Sequence, residues 1–290
     1  MVSFFTSILY NTPIMSNAIN LSNLDNLTKL ARYELIKMSH FGKAPHLGSA
    51  LSCIDIVLCA YEKLLNIDPK NPKDPNRDRF ILSKGHAISA QYVAMCYRGF
   101  FDKELLKTFN LDGSSLPEHP TPNCIPGLEI ATGSLGHGLS VGLGFALGAK
   151  IMNKNYKTLV VLSDGECNEG SVWEAALFAP KKNLNNIIAV IDYNKWQATA
   201  RSNDTLALSP LKEKWEAFGW QTYEIDGNNI EEISSLFEKI KKSQEKPIAI
   251  VANTIKGKGI SFMEDDNNWH YKVPTYEELE SAKIELGIDK

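Results

Sequence analysis

Alternating short apolar strands and amphipathic helices between residues 158 and 254 constrain the fold more than any other feature of the chain. Residues 158–163 read as a buried strand, 171–182 as a helix and 186–192 as a second strand. Residues 211–218 are predicted helical, 221–225 a strand, 230–242 a helix and 247–254 a strand. Elements of these lengths in this order imply an α/β fold, a mostly parallel β-sheet with helices on both faces. Earlier, helices are expected over 27–38 and about 49–65, after a polar opening at 17–26. A strand is expected at 79–83, and Gly85-His86 opens a helix running to Tyr97. The glycine- and alanine-rich stretch 133–150 reads as a turn and a closely packed helix, with tight packing the role of Gly142, Gly144 and Gly148. Residues 68–76 and 110–130 carry turn and proline signals, and a short acidic helix is expected at 276–286.

A chain of 290 residues, 43% of them hydrophobic, can bury a full core, and no internal repeat divides it. One domain over 17–290 is expected, with residues 1–16 a dispensable extension and Met15 an alternative start. The opening ten residues lack the basic region and cleavage site of a signal peptide. A net charge of -3 gives no electrostatic reason to bind nucleic acid, and no apolar run is long enough to span a bilayer. The five cysteines, Cys53, Cys59, Cys96, Cys124 and Cys167, contain no C-x-x-C pair, so they suggest small buried hydrophobes rather than a zinc cage. Their odd number fits a reducing compartment, and a cytoplasmic location is expected.

The chemistry begins where two strands end. If the strands 158–163 and 186–192 are neighbours in a right-handed βαβ unit, Asp164 and Asn194 emerge together at the carboxyl edge of the sheet. Ligands bind open α/β sheets at that edge. One carboxylate, one amide oxygen and a nearby backbone carbonyl, joined by two diphosphate oxygens and a water, would complete an octahedron around Mg²⁺. Gly165 leaves room for a phosphate to approach its N–H. An isolated Asp-Gly pair is ordinarily only a turn.

The wider string is more specific. Ser163-Asp164-Gly165-Glu166-Cys167-Asn168-Glu169-Gly170, then Trp173-Glu174-Ala175-Ala176, then Asn194-Lys195, closely resembles the thiamine-diphosphate motif of transketolases. That motif opens Gly-Asp-Gly and closes on an Asn about thirty residues later; Ser163 stands in place of the first Gly. The resemblance implies a thiamine-diphosphate-binding fold, with Asp164, Asn194 and the carbonyl of Trp196 as metal ligands. Glu169 matches a family glutamate near the interface where paired cofactor sites meet, and is counted with the cofactor residues. Its other reading is a helix N-terminal glutamate offsetting the macrodipole.

Five of the six histidines sit in glycine- or proline-rich loops. Lys43-Ala44-Pro45-His46 resembles a substrate-channel segment, and Pro117-Glu118-His119-Pro120 the segment whose histidine faces donor hydroxyls. The run from Arg77 to His86 is similar to the block whose histidine contacts the cofactor diphosphate. Ile255-Lys256-Gly257-Lys258-Gly259, followed by Trp269-His270, looks like the segment whose histidine lies near the diphosphate and the reacting carbons. The resemblance therefore makes His46, His119 and His270 catalytic, and His86 and His270 cofactor-binding. Imidazole suits that work because moving hydroxyl protons near neutral pH needs a group that titrates there. His40, at a helix end, is expected to be a C-terminal cap. Gly133-Ser134-Leu135-Gly136-His137-Gly138 resembles the Gly-Pro-Leu-Gly-Gln-Gly block lining the cofactor, which assigns Gly133, Ser134, Leu135 and Gly165 to cofactor contact.

The resemblance runs from about Leu27 to Tyr276, the first domain of the family. It implies a separate C-terminal subunit carrying the pyrimidine-binding domain, a dimer of such heterodimers, and transfer of a two-carbon ketol unit between sugars or sugar phosphates. Residues 196–201 depart from the usual Ile-Asp-Gly continuation, which leaves pentose phosphate metabolism and a specialised sugar-biosynthetic ketol transfer both open. Two further alternatives are a component of another thiamine-diphosphate enzyme, of 2-oxo-acid or deoxyxylulose-phosphate type, and a non-catalytic scaffold subunit.

Overall fold

A computed structural model of the chain describes residues 20–242 and 244–288. The strands β1 (Arg79–Leu82), β2 (Thr158–Ser163), β3 (Ile187–Tyr193), β4 (Gln221–Asp226) and β5 (Ile248–Asn253) make one sheet. Their order is β1-β2-β3-β5-β4, and every pairing is parallel. β2 and β3 are buried at every residue, as central parallel strands covered on both faces must be. The period of two divides their side chains between two cores. Leu159 and Val161 join one hydrophobic cluster, Val160 and Leu162 the other.

The helices are α1 (Leu21–Gly42), α2 (Leu47–Cys59), α3 (Ile88–Arg98), α4 (Gly138–Ile151), α5 (Gly170–Lys181), α6 (Leu211–Ala217), α7 (Ile230–Lys242) and α8 (Tyr276–Glu285). α1, α2, α3, α7 and α8 pack on the first face; α4, α5 and α6 pack on the second. α7 shows how the sequence commits to this. Ile233, Leu236, Phe237 and Ile240 fall at i, i+3, i+4 and i+7 and are buried, while Glu231 and Glu232 open the helix and Lys239, Lys241 and Lys242 close it. α2 is buried all round and runs on into a wide π-helical turn, Ala60–Leu64.

Helices on both faces of a parallel sheet match the expected architecture, and most boundaries agree within two residues. α1 is the main exception, starting at Leu21 rather than at residue 27. Asn20 caps it by accepting from the N–H of Asn23, and Leu24 in its first turn is fully buried, so the polar opening is helical. His40 is not a C-terminal cap. The helix ends at left-handed Lys43, whose N–H bonds back to the Ser39 carbonyl, while His40 Nδ1 donates to the Pro274 carbonyl at 2.8 Å.

Of the three glycines assigned to tight packing, only Gly142 has that role. A Cβ there would meet Val160 Cγ2 at 2.5 Å, whereas one at Gly144 would meet nothing within 4 Å and one at Gly148 only side-chain atoms at 3.9 Å. Gly142 faces the sheet and Gly144 lies two positions round the helix. Cys53, Cys59, Cys96 and Cys167 are buried and Cys124 is partly so, all as free thiols. Among the described residues no helix is long and apolar enough to cross a membrane. The extension assigned to residues 1–16 lies outside the described residues.

Candidate functional site

The carboxyl ends of β1, β2, β3 and β5 deliver the polar residues of the site to one edge. β2 hands Asp164 directly to that edge, and β3 hands over Asn194. Asp164 is fully buried and accepts from the N–H of Gly165 at 2.9 Å, the N–H of Lys195 at 2.9 Å and the hydroxyl of Ser202 at 2.7 Å. The Lys195 contact joins the Asp164 carboxylate to the residue beside Asn194, as neighbouring parallel strands require. Lys195 is held at φ 69°, a left-handed turn that swings the chain off the sheet edge. Asn194 Oδ1 accepts from the Trp196 N–H at 3.0 Å, while its Nδ2 donates to Ser52 Oγ and to Asp192 Oδ2, each at 3.3 Å. Burial pushes the Asp164 carboxyl up to about 6. A carboxylate so placed is stabilised by a cation arriving beside it.

Below this edge lies a polar floor whose residues the sequence motifs gave no role. The Lys84 ammonium donates to the Asp192 carboxylate and, at 2.9 Å, to the Ser49 carbonyl. Asp192 also accepts from Ser52 at 2.6 Å and from Thr254. Buried Glu166 accepts from Ser83, from the Gly136 N–H at 2.8 Å and from the Ser163 N–H at 3.3 Å. It thereby pins the 133–138 loop against the ends of β1 and β2. A charge inside an apolar strand end must find partners. Asp192, set among Ile187 to Tyr193, was the available signal.

The histidines converge from four separate loops. The His46 ring centroid lies 5.3 Å from His86, 5.8 Å from His119 and 4.9 Å from His270, and His86 lies 5.7 Å from His270. The left-handed backbone of His46, φ 66°, turns the chain into α2, and its N–H donates to the His270 carbonyl at 2.8 Å. Gly133 meets the cluster from the other side. A Cβ on it would lie 2.8 Å from His119 Cδ2, and a Cβ on Gly85 would lie 2.5 Å from the Gly133 nitrogen. The 133–138 loop is thus in van der Waals contact with both histidine segments.

Burial lowers the basicity of His46, His86 and His270. It pulls His46 down, with Glu118 opposing, and pulls His86 well below the usual imidazole value, with Lys84 adding to the effect. It takes His270 to about 3 and Lys256 to about 8. Glu118 and Lys256 stand inside the histidine motifs, which give them no role of their own. Glu118 bonds His46 Nδ1 at 2.9 Å, and Lys256 Nζ bonds His270 Nδ1 at 3.2 Å and Asn267 Oδ1 at 2.7 Å.

Ser134 and Leu135 lie on the 133–138 loop, where Ser134 Oγ contacts His137 Nδ1 at 3.4 Å. Glu169 is exposed and makes no side-chain cap for α5; it packs instead against Gly136. Trp196 is partly buried, with the Arg201 guanidinium 3.8 Å above its ring and its Nε1 donating to Asp265 at 2.8 Å. Asp265 takes both Arg201 amino groups at 2.6 Å each, and Asn267 Nδ2 donates to the Ala198 carbonyl at 3.0 Å. These contacts tie the loop after Asn194 to the loop carrying Lys256 and His270.

The chain matches the family "Transketolase, thiamine diphosphate binding domain" over residues 28–290. It is 40% identical over 256 residues to one of the subunits of the apulose-4-phosphate transketolase of Phocaeicola vulgatus, covering 88% of this chain and 91% of that one. It is 42% identical over 241 residues to a 6-deoxy-6-sulfo-D-fructose transketolase subunit of a Clostridium species, covering 83% and 88%. Transketolase from Campylobacter jejuni superposes with a TM-score of 0.85 at 31% identity, over 93% of this chain and 43% of that structure. The chain spans less than half the length of that solved transketolase. It belongs to the transketolase thiamine-diphosphate-binding family.

Proposed function

We propose that this chain is the diphosphate-binding subunit of a two-subunit transketolase, which transfers a two-carbon ketol unit from a ketose to an aldose. The observation that carries the reading is the convergence of His46, His86, His119 and His270 beside the edge that presents Asp164 and Asn194. The donor set fits Mg²⁺ and a diphosphate: one carboxylate, one amide oxygen and the Trp196 carbonyl are hard ligands. Beside them Gln197 Nε2 is buried without a hydrogen-bond partner among the described residues, and its side chain packs 3.1 Å from where a Gly165 Cβ would stand. An unpaired buried donor next to a phosphate cradle has a use once an anion is present.

Thiamine diphosphate, when bound, supplies the electron sink for carbon–carbon cleavage. The chain's own residues do the rest of this half of the work. Asp164, Asn194 and Trp196 hold the metal; Gly165, Gly133, Ser134, Leu135, Glu169 and His86 shape the cofactor cradle; His46, His119 and His270 face the sugar. A C-terminal subunit supplies the pyrimidine-binding half, and two heterodimers pair around their sites. Relatives named for apulose-4-phosphate and for 6-deoxy-6-sulfo-D-fructose favour a specialised ketose over general pentose phosphate metabolism. The loop at 196–201, clasped by Asp265, is the matching departure in this chain.

The test separates metal from sugar. In the assembled enzyme Asp164→Ala abolishes Mg²⁺-dependent cofactor binding by calorimetric titration, while His119→Ala binds cofactor normally and loses donor turnover. Normal cofactor binding by Asp164→Ala overturns the metal assignment.

A further inference from the structure

We propose that Glu118 and Lys256 are positioning residues that hold His46 and His270 in opposite tautomers, so that His46 presents a proton acceptor at Nε2 and His270 a proton donor at Nε2. The use made of the two rings rests on the ketol-transfer reading above; the tautomers follow from the hydrogen bonds together with the neutrality of both rings.

An ionised carboxylate only accepts, so the 2.9 Å contact from His46 Nδ1 to Glu118 Oε1 places the hydrogen on Nδ1. The neutral ring then carries its lone pair on Nε2. A lysine ammonium has three donors and no acceptor, so the 3.2 Å contact from Lys256 Nζ requires the lone pair of His270 to lie on Nδ1. Its hydrogen is on Nε2. Both rings are neutral near pH 7, because burial lowers each. Among the described residues neither Nε2 has a hydrogen-bond partner. One ring is therefore left as an acceptor and the other as a donor, with centroids 4.9 Å apart and planes at 83°.

The arrangement is held from several sides. His46 N–H donates to the His270 carbonyl, which fixes one segment against the other. Lys256 is 1% exposed and anchored on Asn267. Lys256, His86 and His119 crowd His46 opposite Glu118, while Lys256, Lys84, His46 and His86 surround His270. Two neutral rings locked in opposite tautomers leave one hydrogen-bond acceptor and one hydrogen-bond donor. Cleaving a ketose requires a hydroxyl O–H bond to break as the adjacent carbon–carbon bond breaks and a new carbonyl forms. The proton passes to the His46 lone pair, and the carbon–carbon electron pair stays with the two-carbon fragment. In the reverse sense the proton returns to the aldehyde oxygen as the new bond forms. His270 Nε2–H stabilises negative charge on a substrate oxygen throughout.

The experiment is a two-bond proton–nitrogen correlation spectrum of the full chain labelled with ¹⁵N-histidine near pH 7, with His46→Gln and His270→Gln assigning the signals. The expected result is an Nδ1–H pattern for His46 and an Nε2–H pattern for His270. Glu118→Ala shifts only the His46 pattern toward the other tautomer, and Lys256→Met shifts only that of His270. In the assembled enzyme Glu118→Gln lowers kcat about 10- to 100-fold, leaves KM within about twofold and moves the acid limb of the pH profile. If His46 and His270 share one tautomer, or if neither positioning variant moves its own ring, the proposal is overturned. Because the spectra need no turnover, an enzyme that fails to transfer ketol units leaves the tautomer result standing. Should Glu118→Ala or Lys256→Met not fold, the wild-type spectrum and Glu118→Gln still decide it.

Discussion

Lys84, just after β1, reaches past the end of β2 to the carboxylate of Asp192 in β3, and both side chains are 0% exposed. With Thr254 donating to the same carboxylate, the pair ties the ends of β1, β3 and β5 together beneath the edge that presents Asp164 and Asn194. Breaking a buried pair by removing one partner leaves an uncompensated charge, which costs about 3–5 kcal/mol. Lys84→Met is therefore expected to lose stability of that order in urea unfolding. The double replacement Lys84→Met, Asp192→Leu is expected to recover part of the loss. A single variant as stable as wild type would show that the pair contributes nothing.

Two glycines give opposite expectations. A Cβ at Gly85 would lie 2.5 Å from the Gly133 nitrogen and 2.5 Å from the Thr132 carbonyl carbon, both backbone atoms. Gly85→Ala must push the loop carrying Thr132 and Gly133 away from His86, at an expected cost of about 1–3 kcal/mol or more. Gly144 sits inside α4 with nothing within 4 Å. Gly144→Ala is expected to stabilise the isolated chain by up to about 1 kcal/mol. Melting curves of the two variants check both signs.

The partly buried histidines make stability depend on pH. His86 is pulled well below 6.5 by burial, reinforced by Lys84, so below pH 6.5 the unfolded chain takes up a proton that the folded chain refuses. Its contribution is complete above about pH 6.5 and is lost as pH falls toward the folded value. The slope approaches about 1.4 kcal/mol per pH unit for one proton. Asp164 and Glu166, pushed up by burial, run the other way on acidification. The comparison is therefore wild type against His86→Gln. Their stability difference should shift in favour of the variant as pH drops from 7 to 5, and a constant difference would contradict the account.

Removing residues 1–14 is expected to leave the melting temperature and the assembled activity unchanged. The described fold opens on its own cap, with Asn20 Oδ1 taking the Asn23 N–H at 2.8 Å, and the family match begins at residue 28. A large fall in either quantity would assign those residues a packing role.

Much of this architecture was legible because period and spacing are enforced by burial. The strand at 158–163 and the helix at 230–242 follow from their patterns, since each has one or two faces that must reach the core. Asp164 and Asn194 could be brought together because parallel neighbours end at one edge. The start of α1 was less legible, because a solvent-facing helical turn carries polar residues just as a loop does. The role of His40 was hidden since its partner, the Pro274 carbonyl, lies 234 positions away. The same distance effect hid the roles of Lys84, Asp192 and Glu118. Each is an ordinary charged residue until folding supplies a partner from another loop, and only the histidine motifs had marked those loops as functional.

On the proposed function this chain holds the metal, the diphosphate and the sugar-facing histidines, and needs a second chain to react. The most direct measurement is a ketol-transfer assay with Mg²⁺ and thiamine diphosphate on the purified chain by itself, on a matching C-terminal partner chain by itself, and on their mixture. Turnover is expected only in the mixture, saturating as the two chains reach equal amounts. Sustained turnover by this chain alone would contradict it, as would a well-folded mixture that binds cofactor and transfers nothing from any ketose tested.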